Sequence, residues 1–244
     1  MFEHLEARAK LTLSLRILGV RADGLHVIDA EMVSLDLCDR LVIDSDGDEL
    51  TVVTGSERSV GRPDDLVVRA LKLVRRRAGV ELHKHIAPGA GLGGGSSDAA
   101  AILRWAGEFD PDRAALLGAD VAFCVVGGRA MVGGIGEVIA PMDHRPETFT
   151  LLTPPVHCST PVVYRTWDEL GGPVGDHGND LEPAALHAFP ELARWRDELG
   201  DASGQRPFLA GSGSTWVVRG EHPGPGRIVA RTTGRWDEPG PSTR

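Results

Sequence analysis

Residues 80–105 read VELHKHIAPGAGLGGGSSDAAAILRW, and this stretch decides the fold. Val80 to Ile86 has the partial alternation of a strand, Pro88 to Ser97 is a glycine-rich loop, and Asp98 to Trp105 predicts a helix with Ser96 and Ser97 as N-cap candidates. Glycines at 89, 91, 93, 94 and 95 let the backbone turn tightly and aim successive N–H groups at one anion. The helix that follows adds the positive end of its dipole. Strand, glycine loop and helix together make a phosphate-binding unit.

Gly89, Gly91 and Gly94 also satisfy the GxGxxG pattern of dinucleotide-binding folds. That reading is weak here. A Rossmann unit places an apolar parallel strand before its loop, whereas Glu81, His83 and Lys84 make this strand half polar, and the acid expected about 20 residues on is met only loosely by Asp110 or Asp112. No GK[ST] follows the glycines, so the Walker A pattern fails as well.

Upstream of the loop, Leu11, Leu13 and Leu15 alternate with Lys10, Thr12 and Ser14, which predicts a strand over 7–15 with Lys10 off the apolar face. A turn at 21–24 leads to strands at Val27–Val33, Leu41–Ile43 and Leu50–Val53, with a hairpin signal at 45–48. From Asp64 the period becomes helical, and Gly79 stands where a C-cap belongs. Downstream, Asp110 caps a short helix, and Val121–Val126 and Ala130–Val132 read as two strands turned at Gly127-Gly128. A strand at Phe149–Thr153 precedes helices starting at Ser159-Thr160-Pro161 and Pro190, then a strand, turn, strand over Phe208–Val218 and a last strand at Arg227–Thr233. The stretch 171–178 marks a break in the pattern, and the Gly, Pro and Ser content of 235–244 predicts a disordered tail.

The balance of 26 basic and 35 acidic residues gives a net charge of -9, which argues against nucleic acid or an anionic membrane as partner. Cys38, Cys124 and Cys158 are widely spaced and form no CxxC or Cys/His cluster, so neither a disulfide framework nor a zinc site is expected. The opening MFEHLEARAK carries acids where a signal peptide needs a basic start, and no apolar run has membrane-span length. A cytoplasmic protein, monomer or homodimer, is expected.

The string PGAGLGGGSSDAA at 88–100 resembles the P-x-G-x-G-L-G-[GS]-S-S-x-A motif of the GHMP kinases. Three further stretches resemble that superfamily in the right order: ARAKLTLSLRILGVRADGLH at 7–26, GADVAFCVVGGRAMVGGIGE at 118–137 and AGSGSTWVV at 210–218. The resemblance implies an α+β, two-lobed GHMP kinase fold. Residues 1–146 would form a lobe resembling the ribosomal protein S5 domain 2-like fold, and residues 147–234 a ferredoxin-like α/β lobe. It implies ATP and Mg²⁺ as cofactors, with Lys10 and Asp120 as the catalytic pair. Pro88, Gly89, Gly91, Leu92, Gly93, Gly94, Gly95, Ser96 and Ser97 would cradle ATP, with Lys84 and Asp65 at its nucleoside end and Ser97 a candidate Mg²⁺ contact.

The G-x-R-x-D-G-x-H turn at 19–26 resembles the branch that phosphorylates a cytidine diphosphate-linked alcohol in non-mevalonate isoprenoid synthesis. The resemblance assigns His26, Leu25, Asp120, His177 and Asn179 to that substrate. Leu25 stands where the family has a tyrosine, Thr12 replaces an asparagine and Asp65 another, while His177 lies near a position that bears an aromatic in some relatives. Leu25 thereby keeps a different small alcohol open as acceptor, and a non-catalytic nucleotide-binding relative is the competing reading outside enzymes.

Overall fold

The structure, a computed structural model, describes residues 2–236. It opens on two long strands, β1 (Phe2–Val20) and β2 (His26–Asp44), paired antiparallel around a turn closed by Arg21 N–H to Leu25 O at 2.8 Å. Then follow β3 (Leu50–Thr54), β4 (Glu57–Val60), α1 (Leu66–Leu73) and β5 (Gly79–Lys84), and after the glycine loop α2 (Gly94–Trp105), α3 (Pro111–Ala115), α4 (Ala119–Val126), β6 (Arg129–Gly133) and β7 (Val138–Met142). The chain continues through β8 (Thr148–Leu152), α5 (Thr160–Glu169), α6 (Glu182–Ala188), α7 (Leu192–Ser203), β9 (Phe208–Leu209), β10 (Trp216–Arg219) and β11 (Arg227–Thr233).

The length of β2 organises the molecule. One edge holds β1, while the other is shared by β6 along Ala30–Val33, β11 at Ser34 and Leu35, and β5 along Arg40–Asp44. Because β11 also pairs with β8, the sheet runs on into the C-terminal strands in the order β8, β10, β9. Helices α2 and α4 pack behind β1, and their Ala99 to Leu103 and Val121 to Val125 side chains are buried with those of β1 and β2 in the larger core. A second apolar cluster, including Leu11, Leu35, Leu92, Phe149 and Val217, fills the space between the β1–β2 ribbon and the C-terminal sheet.

Several local expectations are corrected. Residues 121–126 are helical, because a run buried on every side has no period to separate strand from helix. The signal at 45–48 makes no hairpin, since β5 inserts between β2 and β3 and pairs parallel with β3. Gly79 opens β5 rather than capping α1; the left-handed residue after that helix is Arg75, at φ 54°. Helix α2 starts at Gly94 with left-handed Gly93 as its cap, so Ser96 and Ser97 lie inside its first turn. Within the expected tail, Arg235 bridges to Gly127 and Trp236 packs on α4, while 237–244 lie outside the described residues. No described helix is long and apolar enough to cross a membrane.

Candidate active site

One cleft of about 1210 Å³ gathers most of the residues that the motifs single out. Its floor is the glycine loop. Gly89, Gly91 and Gly93 all have positive φ, and a Cβ on Gly91 would stand 2.3 Å from Ala210 O and 2.7 Å from Gly213 O. The close approach is therefore backbone on backbone. Thr215 N–H donates to Ala90 O at 3.1 Å and Lys10 N–H to Leu92 O at 3.0 Å, which joins the loop to both the 210–215 turn and β1. Pro88, Gly89, Gly91, Gly93, Gly94, Gly95 and Ser96 line the cleft. Leu92 turns into the core instead, and the buried Ser97 hydroxyl donates back to Gly93 O and Gly94 O.

Lys10 is buried, and its ammonium sits 3.3 Å from Asp120 Oδ2 and 3.2 Å from Thr12 Oγ1. Asp120 occupies the first turn of α4, where the helix dipole favours a carboxylate. The lysine stem runs over the loop, so that a Cβ on Gly93 would meet Lys10 Cγ at 2.6 Å.

Lys84 lines the cleft but not as a free cation. Its ammonium contacts the Asp39 carboxylate and lies 2.7 Å from Asp98 Oδ2. Asp39 Oδ1 also accepts from His85 N–H at 2.5 Å and Ile86 N–H at 2.8 Å, stitching down the chain just before the loop. Burial would lower the Lys84 ammonium, yet Asp98 and Asp39 outweigh it and hold its pKa above the usual value. Burial pushes Asp98 up to about 8 against the pull of Lys84, with the Asp39 charge adding to the rise. Asp65, at the same end of the cleft, accepts from Val67 N–H at 2.9 Å as the N-cap of α1.

At the opposite end stands His26, with Nε2 at 2.9 Å from Asp168 Oδ1 and its ring 4.7 Å from Tyr164 and 5.5 Å from Trp167. Burial, reinforced by the Asp120 charge, lifts the Tyr164 phenol to about 12 and keeps it neutral. Leu25 is exposed on the cleft rim. His177 is exposed and lies outside the cleft lining, to which Tyr164 contributes its ring. Asn179 is consumed internally: its amide donates to Leu209 O at 2.9 Å and Gly211 O at 2.7 Å, and its oxygen accepts from Leu181 N–H at 3.0 Å. Its side chain props the 210–215 turn.

Tyr164, Trp167 and Asp168 escaped the sequence reading although they recur at i, i+3 and i+4 on a helix that was recognised. That spacing was the available signal. Asp39 and Asp98 left no comparable one, since Asp39 stands beside Arg40 and near Asp36, and Asp98 follows Ser96 and Ser97.

The model of the GHMP kinases N terminal domain matches residues 65–128, from the N-cap of α1 through the loop and Asp120. The 4-diphosphocytidyl-2-C-methyl-D-erythritol kinase of Paracoccus denitrificans is 35% identical over 86% of this chain and 84% of its own. That of Dinoroseobacter shibae is 34% identical over 93% and 88%. This chain belongs to the 4-diphosphocytidyl-2-C-methyl-D-erythritol kinase family. A crystal structure of 4-(cytidine 5'-diphospho)-2C-methyl-D-erythritol kinase superposes with a TM-score of 0.74 at 28% identity, covering 96% of this chain and 100% of that one. The fold is accordingly the two-lobed α+β fold of the GHMP kinases, as the glycine motif implied.

Proposed function

We propose that this chain is a cytoplasmic, ATP-dependent kinase that phosphorylates the 2-hydroxyl of 4-diphosphocytidyl-2-C-methyl-D-erythritol in non-mevalonate isoprenoid synthesis. The observation that carries the proposal is the Lys10–Asp120 pair, 3.3 Å apart beside the glycine loop, in the same cleft as the His26 and Tyr164 cluster. The kinase names borne by relatives at 34–35% identity support the same acceptor.

Phosphoryl transfer has a loose transition state, so the protein's work is positioning and charge stabilisation. The backbone N–H groups of Gly91 to Gly95 and the positive end of α2 take the phosphates. Asp120 orients the acceptor hydroxyl and accepts its proton, help worth about 10²- to 10⁴-fold in rate. Lys10 stabilises charge growing on the attacking oxygen and pairs with Asp120 Oδ2 at 3.3 Å. Mg²⁺ would be carried in largely on ATP phosphate oxygens, with Ser96 on the cleft lining as a protein contact. Bound there, the ion supplies neutralisation of the β- and γ-phosphate charge. His26 and Tyr164 offer the cytosine a polar edge and a ring face.

Coupled ADP release tests the proposal. Turnover should require Mg²⁺ and the diphosphocytidyl alcohol, and Asp120→Asn should lower kcat by about 10²-fold or more. Saturating substrate without turnover, or faster turnover of an alcohol lacking cytidine, would reject it.

A further inference from the structure

Helices α2 and α4 both point their N-terminal ends into the cleft, one from the phosphate loop and the other from Asp120. Their opposite ends meet at Trp236. The indole lies between two guanidiniums, with Arg8 Cζ 3.9 Å and Arg104 Cζ 3.7 Å from the ring, and its N–H donates to Cys124 O at 3.1 Å. Arg104, in the last turn of α2, donates to the same carbonyl at 2.7 Å and to Glu6 O at 3.0 Å. Arg8 stands two residues from Lys10, across an irregularity in β1, and donates to Gly234 O at 3.2 Å. The fit at the end of α4 is close, since a Cβ on Gly127 would come within 2.9 Å of Trp236 Nε1. One side chain thus touches the three elements that carry Lys10, the phosphate loop and Asp120.

We propose that Trp236 is a positioning residue for phosphoryl transfer, gripping the C-terminal ends of α2 and α4 so that Asp120, Lys10 and the loop keep their relative placement. This rests on the kinase reading above. A short helix pivoting at its far end moves its first turn, and a displacement of about 1 Å at reacting groups lowers rates by about 10²-fold. A structural clamp without a catalytic consequence would change stability and leave the chemical step alone.

The full-length chain with Trp236→Ala should lose about ten- to a hundredfold in kcat while the Kd for ATP and the KM for the acceptor stay within about twofold. Hydrogen exchange at the amides of 123–127 should speed up in the same variant. Trp236→Phe, which keeps a ring between the guanidiniums, should recover most of kcat. Faster exchange with unchanged kcat overturns the inference, and so does a phenylalanine variant no better than alanine. Should Trp236→Ala not fold, Trp236→Leu fills the slot without a π face and carries the same test. Wild-type protein that turns over no diphosphocytidyl alcohol sinks the kinase reading itself, and this inference with it; a wild-type enzyme that works and a variant that works equally well sinks this inference alone.

Discussion

Gly91→Ala should cripple the phosphate site through two separable effects. Gly91 sits at φ +78°, a left-handed conformation that costs an L-residue about 1–2 kcal/mol. The added methyl would also stand 2.3 Å from Ala210 O and 2.7 Å from Gly213 O, where carbon-oxygen contacts normally stay beyond about 3.3 Å. Both oxygens belong to backbone, so relief requires the 210–215 turn to retreat by about 1 Å. That turn is held by Asn179 through Leu209 O and Gly211 O and by Thr215 N–H to Ala90 O, and weakening two such bonds loses about 1 kcal/mol each. The sum is a destabilisation of about 3–4 kcal/mol, within the stability of a typical domain, so the variant should remain folded. Urea unfolding should report that loss, and ATP titration should show binding weakened by about tenfold or more because the loop amides no longer converge. Gly95→Ala is the control, since its methyl would meet nothing nearer than Leu66 Cδ1 at 3.7 Å and would extend a helical turn, shifting stability by less than about 1 kcal/mol in either direction. Equal unfolding curves for the two variants would refute the reasoning.

Asp98 gives a pH dependence whose sign is fixed by its raised pKa. A carboxyl held near 8 when folded and near 3.9 when unfolded contributes its full stability below about pH 4 and loses it as pH rises toward 8. Asp98→Asn, which cannot ionise, should therefore flatten the loss of stability between pH 6 and 9 by about 2 kcal/mol, read from urea unfolding at both pH values. Tyr164→Ala removes the ring beside His26 and should raise the acceptor KM by about tenfold with little change in the KM for ATP, as initial rates will show. Asn179→Ala breaks three internal hydrogen bonds and should lower stability by about 2–4 kcal/mol; calorimetric or urea unfolding checks this, and an intact protein with only a raised acceptor KM would restore Asn179 to the substrate.

The legibility of the sequence followed the kind of signal each element carries. The phosphate unit was readable because glycine and alanine each impose a local constraint there, although the serines lie inside the first turn of α2 and do not cap it, and β1 was readable because apolar and polar residues alternate along it. Helix α4 was misread for the opposite reason. Val121, Ala122, Phe123, Cys124 and Val125 are all buried, so the run shows no alternation and its β-branched residues argue for a strand. What makes it a helix is tertiary: α2, α3 and β1 enclose it, and the glycines at 127 and 128 end it with positive φ. The His26 cluster was half readable. His26 follows a turn that the motif singles out, but its partners come from α5, more than a hundred residues away, and single-chain reading has no means to choose among helices.

Lys84 shows what a motif leaves unsaid about charge. A lysine just before a phosphate loop reads as a cation for ATP, yet here the ammonium is held between two acids, Asp39 fully buried and Asp98 nearly so. Its charge is thus already matched within the protein, and little of it is left for a ligand. In a chain of net charge -9, attraction for a polyphosphate then falls to Lys10, the loop amides and the dipole of α2, with Arg62 and Arg165 also on the cleft lining. Lys10 is itself shared with Asp120, whose carboxylate would be poorly placed near γ-phosphate without it. The division is chemically sensible. On the proposed reading, backbone dipoles would hold ATP equally well before and after transfer, whereas the Lys10–Asp120 pair would meet the oxygen whose charge changes during it, the step that must be accelerated.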